Sequence, residues 1–75
     1  MIDRIAGEVR ALGKDLNERT LAALKENEKS MVRAAESYDL SVSVDAEGTL
    51  NVWFSGNGAL MTTYTFYKAT DQAEQ

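Results

Sequence analysis

Residues 39–68 constrain the fold of this chain most, because two of their segments alternate apolar and polar side chains with a period of two. Successive side chains of a β-strand point to opposite faces, so this period predicts two strands that each present one apolar face. The first segment ends at Asp45 and the second begins at Thr49. The apolar side chains of the two predicted strands are Leu40, Val42, Val44, Leu50, Val52 and Phe54.

The short connection Asp45-Ala46-Glu47-Gly48 predicts a hairpin. A three-residue hairpin loop commonly ends with a left-handed residue, and Gly48 suits this position because it lacks a Cβ atom. Such a loop pairs Asp45 with Thr49 and brings the apolar side chains to one face, whereas a slip by one residue would scatter them. The predicted apolar pairs are Val44 with Leu50, Val42 with Val52, and Leu40 with Phe54.

A third strand is predicted from Ala59 to Lys68, a segment rich in Thr and Tyr. A three-residue loop at Gly56-Asn57-Gly58 pairs Ser55 with Ala59. Residues 39–68 are therefore expected to form a three-stranded antiparallel meander. The expected inner-face pairs of the third strand are Leu60 with Phe54, Thr62 with Val52, and Tyr64 with Leu50, followed by Phe66.

The first 38 residues are expected to be helical, because apolar residues recur at spacings of three and four. Gly13 divides this pattern, and two interpretations remain. In the first, which we favour, one helix ends at Gly13 and a second begins near Asp15, which forms a variant of the capping box with Glu18. In the second, a single helix runs from Ile2 to Ser37, since one Gly costs only about 1 kcal/mol relative to Ala.

Together these patterns predict an α+β fold in which the N-terminal helical half, residues 1–38, packs on the inner face of the three-stranded meander, residues 39–68. All 75 residues are expected to form a single domain. Residues 69–75 are short and mostly polar, so a flexible tail is expected there. A domain of this size buries only about 60% of the surface of its unfolded chain, which makes an additional source of burial desirable.

The composition excludes several kinds of site. The chain has no Cys and no His, so it can form neither a disulfide nor a thiolate or imidazole metal site. Its net charge is −4, and residues 34–75 hold six acidic residues and one basic residue, or −5. No basic residue lies between Arg33 and Lys68, which argues against binding of nucleic acid. No segment resembles a membrane span or a signal peptide, so a cytoplasmic protein is expected.

The glycine-containing turns do not indicate a ligand site. The segment from Asp45 to Gly48 lacks the twelve-residue pattern of a calcium loop. Gly56-Asn57-Gly58 lacks the Lys-Ser/Thr that follows a phosphate-binding loop. The carboxylates near the first hairpin lie on turns and strand ends, without the cleft that paired catalytic carboxylates need. We therefore expect no enzymatic activity and no cofactor, metal or small-molecule ligand.

The outer face of the predicted sheet carries the candidate partner-binding residues. Trp53 and Met61 are expected to lie opposite each other there, with Tyr67 and Ser41 on the same face. Aromatic residues and Met are enriched at protein interfaces, and clustered exposed apolar surface tends to mark a binding site. The alternative is that helices cover both faces of the sheet, or that Trp53 only shields the neighbouring strands.

A non-enzymatic protein-binding module is the predicted function, and a homodimer is expected to supply the missing burial. The dimer would form either through the first helical stripe, residues 2–16, or through Trp53 and Met61. In its small size, its acidity and its lack of motifs, the chain resembles compact inhibitors encoded by phages and mobile elements, such as anti-CRISPR proteins. The alternative prediction is a structural or assembly subunit of a larger complex.

Overall fold

The fold is α+β. The structure is a computed structural model that describes residues 1–72, except for the side chain of Met61. These residues form two helices and five antiparallel strands. The elements are α1 (Ile2–Ala11), β1 (Lys14–Leu16), α2 (Glu18–Ala35), β2 (Asp39–Val44), β3 (Leu50–Gly56), β4 (Ala59–Phe66) and β5 (Thr70–Gln72). Strands β2, β3 and β4 form one sheet in that order, and β1 pairs with β5 in a second sheet. The α+β class is thus confirmed, but the prediction of only three strands omits β1 and β5.

The first helix ends where Gly13 allows the chain to turn. The amides of Leu12 and Gly13 close the last turn of α1 by donating to the carbonyls of Val9 and Arg10, at 3.0 and 2.9 Å. Gly13 then adopts a φ of +80°, in the left-handed region that other residues avoid. The predicted break is therefore confirmed, and the alternative of a single helix through Ser37 is wrong.

The segment after the break is a strand and not the start of a helix. Lys14–Leu16 forms β1, so the prediction of a wholly helical first half is wrong at this point. The second helix is capped by Asn17, whose side-chain oxygen accepts a hydrogen bond from the amide of Thr20 at 2.9 Å. Asp15, the predicted cap, lies within β1 and instead forms an ion pair with Arg10 at 2.6 Å.

The hairpin of β2 and β3 has the register predicted from its alternating pattern. The observed apolar pairs are Leu40 with Phe54, Val42 with Val52, and Val44 with Leu50. Gly48 has a φ of +85°, as its place at the end of the loop requires. The carboxylate of Asp45 accepts hydrogen bonds from the amides of Glu47 and Thr49, both at 2.9 Å. The loop and the apolar pattern therefore favour the same pairing.

The turn between β3 and β4 has two residues and not three. Asn57 and Gly58 have φ values of +53° and +77°, and the flanking residues Gly56 and Ala59 pair with each other. Two positive φ values are typical of the type I′ turn, which Asn-Gly favours in two-residue hairpins. The predicted three-residue loop is wrong because Asn tolerates the left-handed conformation better than most residues do.

A bulge next to this turn changes the register of β4. Regular pairing is interrupted between Phe54 and Ser55, whose partners are Thr62 and Leu60. Leu60 therefore lies opposite Ser55 and not opposite Phe54 as predicted, and it is 65% exposed. The inner-face residues of β4 beyond the bulge are Thr62, Tyr64 and Phe66, which pair with Phe54, Val52 and Leu50.

The C-terminal segment closes the molecule against the loop between β2 and β3. Thr70–Gln72 pairs with β1, and the amide of Ala69 donates to the carbonyl of Gly48 at 2.8 Å. Ala69 is fully buried. The prediction of a flexible tail over residues 69–75 is therefore wrong for residues 69–72, while residues 73–75 lie outside the described part of the chain.

One cluster of apolar side chains fills the space between the helices and the inner face of the larger sheet. The helices contribute Ile5, Val9, Leu24, Met31 and Ala34, and the sheet contributes Leu40, Leu50, Val52 and Phe54. Both helices thus pack on the same face of this sheet. Neither helix in the described residues combines the length and the apolar composition that a bilayer span requires.

Candidate functional site

Trp53 lies at the centre of the sheet face that points away from the helices. Its neighbours in β3, Val52 and Phe54, are fully buried in the core, so the pleat of the strand directs Trp53 outward. Trp53 pairs with Ser41 on β2 and with Thr63 on β4. It is half-buried, and part of the residue remains open to solvent.

The structure brings together two of the four predicted site residues. Ser41 lies directly opposite Trp53, as expected from the register of β2 and β3. Met61 is expected from the sequence on the other side of Trp53, but Thr63 occupies that position because the register of β4 differs by two residues. The side chain of Met61 lies outside the described part of the structure.

Tyr67 lies apart from Trp53. It follows Thr63, the partner of Trp53, by four residues, which is about 13 Å along an extended chain. Tyr67 is 75% exposed, and its carbonyl accepts a hydrogen bond from Arg19 at 3.2 Å. The four predicted site residues therefore do not form one continuous patch.

Leu60 lies opposite Ser55, two residues along β3 from Trp53, at a position that the sequence pattern does not predict. Directly opposite residues of antiparallel strands share a face, and Leu60 lies opposite Ser55, which points to the same side as Trp53. The signal that would have placed it there is Asn57-Gly58, since a two-residue turn pairs Ser55 with Leu60. We use the name outer patch for the four residues Ser41, Trp53, Leu60 and Thr63.

Polar residues border the outer patch. The hydroxyl of Thr65 donates to the side-chain oxygen of Asn51 at 2.9 Å, and Ser43 completes this row of the sheet. An apolar centre with a polar rim is the usual anatomy of a protein interface. Because both helices pack on the other face, no helix of the described residues covers the outer patch.

A groove of about 440 Å³ opens on the helix side of the sheet, between the last turns of α2 and strand β4. Its volume lies within the range of about 300–1,000 Å³ that is common for ligand sites. Ser37 and Tyr38 line it beyond the end of α2, and none of the residues that line the groove is acidic. The remaining lining residues are Lys29, Ser30, Arg33, Ala34, Thr62 and Tyr64.

The acidic side chains of residues 1–72 are dispersed. Among residues 1–72, no group of three or more carboxylates is placed to share a metal ion.

Comparisons with protein-family models, with curated proteins and with solved structures find no match to this chain. The function is therefore inferred from the outer patch, which has a partly exposed aromatic residue, and from the groove, which has two cations and no acidic residue in its lining.

Proposed function

We propose that this chain is a non-enzymatic protein-binding module that acts through the outer patch, as a small inhibitor of the kind that phages and mobile elements encode. The observation that carries the proposal is the half-buried Trp53, which keeps part of its surface open to solvent at the centre of a sheet face that no helix of residues 1–72 covers. Trp is enriched among the residues that dominate the free energy of binding at protein interfaces. Leu60 extends the apolar surface beside it.

The first partner that we propose is a second copy of the chain. Of the two surfaces considered for a homodimer, the first helical stripe is mostly used within the chain, because Ile5 and Val9 are fully buried in the core, although Leu12 is 55% exposed. The outer patch has no such cover in the described residues. We therefore place the dimer contact at the outer patch, where a two-fold axis would bring the two Trp53 residues together.

The size of the outer face sets the expected strength of this contact. Three strands at about 4.8 Å spacing and six residues at about 3.4 Å each give a flat area of about 300 Å². A standard protein interface buries about 800 Å² on each partner. A homodimer through this face alone is therefore expected to be weak, whereas a larger protein that also contacts the sheet edges would bind more tightly.

Sedimentation velocity over a range of concentrations tests the homodimer. The wild-type chain should shift from an 8.3 kDa monomer towards a dimer as its concentration rises, whereas Trp53→Ser and Leu60→Ser should remain monomeric. The matched control is Val32→Ser, which removes an exposed apolar residue from α2 and should associate like the wild type. A wild-type chain that stays monomeric up to about 1 mM would contradict the homodimer.

Capture from a host lysate tests the inhibitor role separately. Specific retention of one host protein by the wild-type chain and by Val32→Ser, but not by Trp53→Ser, would support it. Retention of the same protein by Trp53→Ser would remove the outer patch from the proposal. Large self-assemblies that retain no host protein would instead favour a structural subunit.

A further inference from the structure

The groove between α2 and β4 has walls that are supported by the core. Tyr64 packs edge to face on Phe54, with 6.3 Å between the ring centroids and 84° between the ring planes. Tyr38 lies against Gly56, where a Cβ atom would approach the Cδ1 atom of Tyr38 to 3.3 Å. Ala34, on the helix side, is buried. Tyr64, Tyr38 and Ala34 therefore form a part of the groove wall that contacts with the rest of the fold hold in place.

Two cations line the groove, although the chain has a net charge of −4. Lys29 and Arg33 lie about one turn apart on α2, and no acidic residue lines the groove with them. Within residues 1–72, neither side chain forms an ion pair with a carboxylate. Arg33 lies in the last turn of α2, where a cation also complements the helix dipole. That effect falls off within the last turn and does not account for Lys29.

Strand β4 is an open edge of the larger sheet. It pairs with β3 on one side, and no other strand of the described residues pairs with its second side. Edge strands are usually protected by charged residues, by Pro or by a bulge. The bulge of β4 lies near Leu60, whereas the regular stretch of residues 62–66 has neither charge nor Pro. Backbone groups on this edge can therefore pair with a further strand beside the groove.

We propose that the groove binds an extended acidic peptide segment of a partner protein, which adds to β4 as a fourth strand. Alternate side chains of the added strand face the groove, where carboxylates meet Lys29 and Arg33. Pairing of the backbone supplies affinity and the side-chain contacts supply specificity, as in other cases of strand addition. The low density of negative charge in the groove favours this occupant over a basic segment.

The spacing of the two cations fits a β-strand. Positions i and i+2 of a strand lie about 7 Å apart on one face. Lys29 and Arg33 are four residues apart on α2, which is a rise of about 6 Å along the helix axis. Two carboxylates at alternate positions of one extended segment therefore have nearly the separation of the two cations, and a segment that runs along α2 could contact both. A run of adjacent carboxylates would direct every second one away from the groove.

This site is separate from the outer patch. The groove opens on the helix side of the sheet, and the outer patch lies on the opposite face. Substitutions in the groove leave Trp53 in place, and substitutions of Trp53 leave the groove in place. A failure of the peptide proposal can therefore be distinguished from a failure of the proposed function.

A short peptide of alternating Glu and Val, blocked at both ends, is the probe. Titration into isotopically labelled protein, followed by amide chemical shifts, reports both the affinity and the location of binding. We expect saturable shifts at residues 62–66 and along α2 from Lys29 to its end. Arg33→Glu and Lys29→Glu should each weaken binding by at least about tenfold, since each reverses a charge that would hydrogen-bond a carboxylate.

The matched control is Lys25→Glu, which makes the same charge change on the same helix at a residue that does not line the groove. It should change the affinity by no more than about twofold, because screening by salt weakens interactions between distant exposed charges. A peptide with Lys in place of Glu should not bind. These two comparisons separate the groove from a general effect of net charge.

N-methylated peptides separate strand addition from simple attraction between charges. The backbone donors of a strand point alternately to its two sides. Methylation of all the Glu amides or of all the Val amides leaves every carboxylate present, but only one of these two peptides loses the donors that face β4. Strand addition therefore predicts that one methylated peptide binds and the other does not.

Several results would overturn the proposal. An absence of shifts at about 1 mM peptide would do so, as would equal binding of the two methylated peptides. Equally strong binding of glutarate would assign the groove to small dicarboxylates. Self-association that Arg33→Glu abolishes would assign the groove to a second copy of the chain.

Discussion

Asn17 connects the second helix to the C-terminal segment. Its replacement therefore tests how much this connection contributes to the stability of the fold. Its side-chain oxygen caps α2 by accepting from the amide of Thr20 at 2.9 Å, and its side-chain nitrogen donates to the carbonyl of Lys68 at 2.7 Å. Its backbone amide donates to the carbonyl of Ala69 at 3.0 Å. A single side chain thus connects the start of α2 with the residues that lead into β5.

The expected cost of Asn17→Ala follows from the two side-chain contacts. Loss of an N-cap costs about 1 kcal/mol, and loss of a hydrogen bond costs about another 1 kcal/mol. The carbonyl of Lys68 keeps a second donor in Arg19, at 3.1 Å, so no acceptor is left without a partner. We expect a total loss of about 2 kcal/mol, against a free energy of unfolding of about 4–11 kcal/mol for a chain of this length.

Thermal and urea unfolding measure this loss. For a domain of this size, about 2 kcal/mol corresponds to a decrease in Tm of about 8–16 °C. Asn17→Ser keeps the cap but cannot reach Lys68, so it should lose about half as much. The matched control is Asn27→Ala, because the side chain of Asn27 donates to the carbonyl of Ala23 within the same helix, at 2.8 Å. This variant also loses one hydrogen bond, but Ala is a better helix former than Asn at an interior position, so the net change in stability should be less than about 0.5 kcal/mol.

Equal Tm values for Asn17→Ala and Asn27→Ala would refute the reasoning, because the link to the C-terminal segment would then contribute nothing. Hydrogen exchange locates the effect. The amide of Ala69, which donates to the carbonyl of Gly48 at 2.8 Å, should exchange faster in Asn17→Ala than in the wild type. Faster exchange confined to the first turn of α2 would mean that the cap alone matters.

Two further substitutions test the core and the first loop. Phe54→Ala, at a fully buried position, should cost about 3–5 kcal/mol, whereas Thr63→Ala on the exposed face should have little effect; equal shifts in Tm would contradict the assignment of the faces. Gly48→Asn should lower the Tm because, besides its positive φ, a Cβ atom there would lie 3.1 Å from Oγ1 and 3.2 Å from the carbonyl oxygen of Thr70. The control for Gly48→Asn is Gly58→Asn, because Gly58 also has a positive φ, +77°, but nothing lies within 4 Å of the added Cβ. An equal loss of Tm in both variants would argue against close packing at Gly48.

The β2–β3 hairpin is predictable from the sequence because independent local signals agree. The alternation of apolar residues, the length of the loop and the left-handed position of Gly48 all require the pairing that the structure shows. Each signal acts within a few residues of the turn. The same register also places Ser41 opposite Trp53, so this half of the outer patch is predictable too.

The register of β4 is harder to predict because two changes add together. The turn is one residue shorter than predicted and the bulge adds one residue on β4, so the pairing moves by two residues. A shift of two leaves Thr62, Tyr64 and Phe66 on the inner face, so the alternation of side chains cannot reveal it. The change is visible only next to the turn, where Leu60 moves to the outer face. The composition of the outer patch therefore depends on the turn and not on the strand pattern.

The second sheet and the groove depend on contacts between distant parts of the chain. Strands β1 and β5 have three residues each and no apolar period, and their pairing is supported by the contact of Ala69 with Gly48. The groove combines residues of α2 with residues of β4, which no local pattern relates. Hydrophobic periodicity and turn residues predict single helices and strands of several residues. They do not predict that two short segments far apart in the sequence pair with each other.

The contacts that α1 and the C-terminal segment make within the chain change the reason for which self-association is expected. From the sequence, a dimer is expected because a short chain lacks burial and the first helical stripe lacks a cover. In the structure, Ile5, Val9 and Ala69 are fully buried within one chain, so that need is met internally. The remaining reason for association is the outer patch around Trp53. This patch offers surface to a partner and is not part of the hydrophobic core of the chain. Association and stability should therefore be separable. Trp53→Ser is expected to abolish association, whereas the free energy of unfolding of the monomer should fall by only about 1 kcal/mol, through the lost cross-strand contacts of the half-buried Trp53.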